Sequence, residues 1–444
     1  MTQQTLFPTL SPAEEPAEAK PRLKGKPRVL EADRHQVFLR PSDLDSLVAE
    51  DHRVRGIWEF VVGLDLSDLY ARIDAVEGGA GRPATDPRIL MALWLYATVE
   101  GVGSARALDR LCEEHVAYQW ICGGVSVNYH TLADFRVQHV ELLDKLLTES
   151  VAALSFKGLV EISRVAQDGI RVRASAGAAS FRRAPTLQEC LQEAEQQVQL
   201  LRQELEQDPA ACSRRQQAAR ERARTERQQR VAEALRQLPE IEAKKKDDEK
   251  QKARASTTDP DARVMKMADG GFRPALNIQF STDTKAQVIV GVDISNSGSD
   301  QGQMPPMVEQ VTERYGEAPK EVLVDGGFAK KEDIDRVSRE PLGCTVYAPV
   351  QKPKDPARDP FAPYPGDTET VAAWRTRMGT DEAKEIYKER AQTAECVNAI
   401  ARNRGLQRFL VRGIKKAKAI ALWFALAHNM MRGPSLQAAA TAVG

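Results

Sequence analysis

Three carboxylates far apart in the chain, Asp168, Asp325 and Glu395, have the types and settings for metal-assisted phosphate chemistry. Each aspartate precedes a glycine and closes a β-prone run: Leu159, Val160, Ile162 and Val165 lead to Asp168, and Glu321 to Val324 lead to Asp325. Glu395 lies in a helical stretch that opens near Thr380. A strand-end aspartate is a rigid oxygen ligand, and a helical glutamate reaches in from the side. Mg²⁺ is a hard cation that takes oxygen ligands and keeps positions open for phosphate oxygens. Two such ions about 4 Å apart can activate a water or a 3′-hydroxyl and stabilise the leaving oxygen. The glycines after the two aspartates leave room for a phosphodiester backbone. Singly, an Asp-Gly pair is a common turn and a helical glutamate is a solvated residue, so the reading rests on joint placement.

A basic segment follows the third acid. From Cys396 to Gly444 there are eight Lys or Arg and no Asp or Glu, and Arg402, Arg404, Arg408, Arg412, Lys415, Lys416 and Lys418 crowd seventeen residues. The whole chain of 444 residues has 63 basic and 63 acidic side chains. Bulk charge therefore cannot attract a polyanion, but a local cationic patch beside an acidic site can.

The elements that must position these groups follow in a definite order. From residue 160 onward the pattern reads strand, helical insert, strand, strand, helix, strand, helix, strand, helix. Without the insert this is the order of an RNase H-like fold, in which the first and fourth strands lie side by side. Asp168 and Asp325 end those two strands, and Glu395 lies on the helix that would pack against them. The fold class expected is α/β: an RNase H-like core with a mixed sheet flanked by helices, an all-helical N-terminal domain and a helical insertion after the first strand. The boundaries predicted are a flexible tail over 1–36, the helical domain over 37–158, the core over 159–184 and 256–432, the insertion over 185–255 and a C-terminal tail over 433–444.

Within the helical domain, Ser42 is expected to cap a first helix, and Asp86-Pro87 supplies an N-cap followed by Pro at N1. Gly101 and Gly103 interrupt the pattern before Ser104 caps the next helix, the outline of a helix-turn-helix or of a plain helical hairpin. Thr131 and Asp134 read as an acidic capping box. Cys112, His115, Cys122 and His130 fall within nineteen residues, but without the closely paired spacing of structural zinc. In the insertion, Leu187, Leu191, Ala194, Val198, Leu201 and Leu205 step by four and three, a heptad seam. It suits either a hairpin within the chain or a coiled coil between chains. Pro209 and Pro239 are expected to end its two helices.

Composition narrows the field. Ile89–Val99 and Ala419–Ala427 are the longest apolar runs, both short of the roughly 20 residues a membrane span needs. Six scattered cysteines suit a reducing cytoplasm better than a disulfide framework. Lys20, Arg22, Lys24, Lys26 and Arg28 give the proline-rich tail a small basic cluster, a solubilising feature or an arm for DNA phosphate.

These motifs together resemble the bacterial insertion-sequence DDE transposases with a Tyr-Arg-Glu-Lys signature around the third acid. Gly81-Arg82-Pro83, Asp86-Pro87-Arg88, Gly103-Ser104-Ala105-Arg106 and Thr131 to Arg136 are similar to the helical InsH-type N-terminal domain of that group. Gln167-Asp168-Gly169 resembles its first-acid motif, Val324 to Phe328 its second, and Tyr387-x2-Arg390-x4-Glu395 its third. Arg402 stands where the family usually has Lys, two helical turns beyond Glu395. The resemblance implies metal-dependent cleavage of the element's ends followed by strand transfer of the freed 3′-hydroxyl to target DNA. It implies Asp168, Asp325 and Glu395 as ligands of two Mg²⁺ ions, with Mn²⁺ as substitute. Tyr387, Arg390, Arg402, Arg404, Arg408, Arg412, Lys415 and Lys416 become candidates for DNA contact. At 100° per residue Tyr387 and Arg390 are expected on other faces from Glu395. The partners implied are terminal inverted repeats, target DNA and a second copy of the chain, in a bacterial cytoplasm at the nucleoid, with no membrane. The alternative is an RNase H-like nuclease or a domesticated DNA-binding relative. A scaffold protein built on the heptads, or a glycosidase with paired carboxylates, accounts for fewer of these features.

Overall fold

The computed structural model describes residues 43–443 apart from 77, 79–82, 208–212 and 354. The expected tail cluster Lys20–Arg28, the Ser42 cap, Gly81-Arg82 and Pro209 lie outside the described residues.

The described residues open on seven helices: α1 (Arg53–Val62), α2 (Ser67–Tyr70), α3 (Pro87–Val99), α4 (Ala105–Glu114), α5 (Val116–Cys122), α6 (Tyr129–Gln138) and α7 (Val140–Phe156). Residues 44–47 form a turn instead of the helix expected there, and His52 caps the first helix by accepting from the Val54 N–H. Asp86 caps α3 as its sequence demands, accepting from the Arg88 N–H with Pro87 in the first turn. That helix is apolar all round and buried accordingly. Ser104 caps α4. The expected Thr131 box is absent: Asn128 caps α6, its carbonyl oxygen accepting from both His130 and Thr131. One asparagine meets two free donors, so the helix starts earlier.

The sheet follows. Strand β1 (Arg164–Arg173) leads through a two-residue strand β2 (Phe181–Arg182) to helices α8 (Ala184–Gln207) and α9 (Arg214–Ala243). Strand β3 (Ala255–Ser256) then pairs back onto β2, so the insertion leaves and returns on neighbouring strands. Its heptad residues Leu187, Ala194 and Leu201 are buried, as are Val231, Ala234 and Leu238 of α9, which packs against α8 in the same chain. Pro239 lies inside α9 instead of ending it.

Next come β4 (Arg263–Lys266), β5 (Phe272–Asp283), β6 (Ile289–Ser295), α10 (Met304–Tyr315), β7 (Glu321–Leu323), α11 (Lys331–Ser338) and β8 (Thr345–Tyr347). Strand β1 pairs antiparallel with β5 on one side and parallel with β7 on the other. The order across the sheet is β6-β5-β1-β7-β8, with β4 beside the start of β5.

The closing helices are α12 (Glu369–Met378), α13 (Asp381–Arg390), α14 (Cys396–Asn403) and α15 (Ile414–Val443), with a π-helical turn at Ala391–Glu395 joining α13 to α14. Helix α12 lies outside the expected elements: it stands at the end of a proline-rich stretch and is anchored by Trp374, whose indole N–H donates to the Ala348 carbonyl. The tail expected at 433–444 is instead helical through Val443, since the alanine-rich end favours continuation.

Helix α15 packs against α3, α6 and α7 on one side and β6 on the other. Trp423 donates to the Arg136 carbonyl of α6 at 2.9 Å, and Phe424 stacks on Phe280 of β5. At the edge of β6, the Asn429 side chain accepts from the Ile289 N–H and donates to the Ile289 carbonyl, both at 2.8 Å, standing in for a neighbouring strand. One core therefore joins the N-terminal helices to the sheet.

Candidate active site

Asp168 does not end its strand. Strand β1 runs on through Gly169 to Arg173, with Asp168 opposite Phe280 and Gly169 opposite Gln279 of β5. Asp-Gly is turn-forming when isolated, but pairing to β5 along the whole run overrides that preference. Asp325 stands two residues past β7, where its Oδ1 accepts from the Gly327 N–H at 2.7 Å. Because β1 and β7 are adjacent and parallel, the two carboxylates come together on one side of the sheet's centre.

Glu395 is brought in by the π turn, which also corrects the expectation for Arg390. Five residues apart on an α-helix the two side chains would diverge by about 140°. A π turn bonds residue i to i+5 and brings them back onto one face. Arg390 consequently lies 3.4 Å from Asp168 Oδ2, 3.8 Å from Asp325 Oδ2 and 3.4 Å from Glu395 Oε1. A single guanidinium, only 11% exposed, bridges all three acids. The turn's displaced carbonyls find substitutes: Glu389 accepts from the Thr393 hydroxyl and Gln392 from the Gln287 amide.

Burial pushes the Asp168 carboxyl up to about 6, with the charges of Asp325 and Asp300 acting in the same direction, against the lowering by Arg390 and the Gly169 N–H. Two groups that the sequence did not disclose complete this environment. Asn398, buried one turn after Glu395, donates to Asp168 Oδ2 at 3.0 Å. Its position three residues after Glu395, on the same helix face, was the signal available. Asp300 sits in a Gly/Ser loop without periodicity and accepts from Asn277 at 2.7 Å and Gln279 at 2.9 Å. Those side chains press on Gly169, where a Cβ would stand 2.5 Å from Asp300 Oδ1, 2.7 Å from Gln279 Nε2 and 2.8 Å from Asn277 Oδ1. The space at Gly169 is thus taken by the protein's own polar cluster. At Gly326 a Cβ would meet nothing within 4 Å.

A cleft of about 580 Å³ opens beside the acids, lined among others by Asp168, Asp300 and Asp325 and by Arg171, Arg173, Arg273 and Arg402. The other basic candidates disperse. Arg404 is half-buried against the Gly101 turn, and burial lowers the pKa of its guanidinium. Arg408 bridges to Arg173 through backbone, Arg412 and Lys416 line a separate groove with Arg230 of α9, and Lys415 pairs with Glu141 of α7 at 2.9 Å. Tyr387 is half-buried near the acids, and burial raises its phenol pKa. Among the described residues no group of three or more His, Cys, Asp or Glu is arranged to hold a metal ion. The three carboxylates suit a hard cation chemically, but Arg390 occupies the space between them, so as arranged they do not fit a metal.

Residues 42–138 match the family of a transposase domain, and residues 355–432 match that of a transposase DDE domain. These two matches support an insertion-sequence DDE transposase. The first match covers α1 to α6. The second covers α12 to α14 and most of α15, hence Glu395, Arg390 and Arg402; Asp168 and Asp325 precede it. No curated protein and no solved structure matches the chain. No helix among the described residues is long and apolar enough to cross a membrane.

Proposed function

We propose that this chain is a DNA transposase that binds the ends of its element, hydrolyses the phosphodiester bond there and joins the freed 3′-hydroxyls to target DNA. The observation that carries this reading is the convergence of Asp168, Asp325 and Glu395 around Arg390, with the two aspartates lining a cleft walled by four arginines. The strand order β6-β5-β1-β7-β8, with the first and fourth main strands adjacent, supports an RNase H-like core. A neutral chain with cationic walls around an acidic floor is suited to a polyanion held beside cation ligands.

The three acids could serve as oxygen donors for Mg²⁺, or Mn²⁺ in its place, only in an arrangement in which Arg390 has left the space between them. This chain's own residues hold and orient. Arg171, Arg173, Arg273 and Arg402 take phosphates along the cleft, where guanidinium forks match phosphate oxygens. Asn398 and the Gly169 N–H fix the Asp168 carboxylate. Synapsis of two ends calls for two copies of the chain, and the heptad seam is no ready interface for it because its buried positions already face α9.

The test uses purified protein with labelled DNA taken from the flanks of its gene, with Mg²⁺ or EDTA, beside Asp325→Asn. Asp325 is partly exposed, so the variant should fold. Metal-dependent cleavage exposing a 3′ end, lost in the variant, is the expected result. End binding without cleavage under any condition would leave a DNA-binding relative and refute the enzyme.

A further inference from the structure

Arg390 holds the place that a cation would take. Its guanidinium lies 3.4–3.8 Å from an oxygen of each acid, its side chain is 11% exposed, and its Nε has no hydrogen-bond partner among the described residues. A residue meant only to grip substrate would face the cleft, yet Arg390 is absent from the cleft wall that Arg171, Arg173, Arg273 and Arg402 form. The π turn is what turns it inward. Divalent ions bound to the same carboxylates sit about 2.1 Å from the oxygens and carry two charges each. They and a guanidinium cannot share that space, on grounds of both volume and like charge.

We propose that Arg390 is a built-in counter-cation that closes the three-acid centre to divalent metal, and that DNA opens it by offering the guanidinium a phosphate instead. This rests on the proposed function for the identity of the acids and of the polyanion. Without DNA, the guanidinium neutralises part of the charge of three clustered carboxylates. Arg390 sits on a turn whose hydrogen bonds are already rearranged, and its long side chain can swing toward the cleft without moving either strand. A phosphate there matches the guanidinium fork better than three carboxylates at 3.4–3.8 Å. Its departure leaves the acids unpaired, which raises their affinity for metal. Metal binding and DNA binding then favour each other, and by linkage the coupling is equal in both directions. The consequence is that the free protein is not a metal-loaded nuclease.

The measurement is Mn²⁺ binding, followed by the electron paramagnetic resonance signal of free Mn²⁺, on full-length protein without turnover. DNA-free wild type should bind weakly, and Arg390→Gln should bind about tenfold or more tighter, the size of change that removing one adjacent opposite charge produces. Arg390→Lys, which keeps the charge, should stay close to wild type. Adding a short DNA duplex should tighten Mn²⁺ binding to wild type and leave Arg390→Gln nearly unchanged. Adding Asp168→Asn and Asp325→Asn to Arg390→Gln should abolish the tight binding. If Arg390→Gln binds Mn²⁺ no better than wild type, while binding still depends on the two aspartates, Arg390 merely positions the acids and this inference is overturned with the functional reading intact. If no binding depends on the aspartates, with or without DNA, both fall.

Discussion

Gly169→Ala isolates how tightly the first acid is built into the sheet. The backbone there is ordinary extended strand, so the effect is steric. An added methyl would stand 2.5–2.8 Å from the ends of Asp300, Gln279 and Asn277. Each atom would have to withdraw by roughly 0.6–0.9 Å to reach ordinary contact. Flexible side-chain ends usually yield at little cost, but these are pinned. Asn277 and Gln279 both donate to Asp300 Oδ1, Gln279 Oε1 in turn accepts from Gln167, and Asn277 and Gln279 are almost wholly buried. Overpacking costs about 1–3 kcal/mol, and each buried polar group stripped of its partner about 1–3 kcal/mol more. A loss of roughly 2–4 kcal/mol is expected. Gly326→Ala is the matched control: the same dipeptide context, no neighbour within 4 Å and no left-handed backbone, hence a change within about 0.5 kcal/mol. The assay is urea unfolding followed by circular dichroism, the two variants beside wild type. A Gly169→Ala midpoint equal to wild type, or an equal drop in both variants, would refute the argument that Asp300 and its partners form a rigid buttress against β1.

Two other residues of α15 give sharp expectations. Asn429→Ala removes the surrogate strand from β6 and leaves the buried N–H and C=O of Ile289 unpaired, at a cost of about 2–4 kcal/mol in urea unfolding; an unchanged midpoint would mean that β6 finds another partner. His428 is buried, and burial pulls its pKa down to about 4. Below the ordinary value near 6.5 the unfolded chain takes up a proton that the folded chain refuses. Stability therefore falls between about pH 6.5 and pH 4, by at most roughly 3 kcal/mol. His428→Gln should flatten that part of the stability profile relative to wild type, and parallel profiles would count against the assignment.

The sequence disclosed elements with strong local signals and missed those decided by tertiary contact. Asp86-Pro87 and Ser104 are caps that any chain context would honour, and both helices start where their residues predict. The Asp168-Gly169 dipeptide misled for the opposite reason, because its local turn preference is overridden by hydrogen bonds to a strand more than a hundred residues away. Arg390 faces the acids because the π turn resets the helix phase, and composition does not announce a π turn. Asp300 carries no local signal: it lies between Ser299 and Gln301 in a loop, and its meaning comes from Asn277 and Gln279 on β5.

Helix α15 also has a consequence for biosynthesis. It is translated after every other element described here, yet it is the wedge on which α3, α6, α7 and β6 all close. A ribosome adding about 5–20 residues per second needs on the order of ten seconds to travel from the end of β6 to the start of α15. Through that interval the nascent chain carries the helices and the sheet edge with their shared apolar surface still open, dependent on chaperones or on one another. A gene copy interrupted anywhere before residue 414 would thus release no partly functional N-terminal fragment, only a chain unable to close its core.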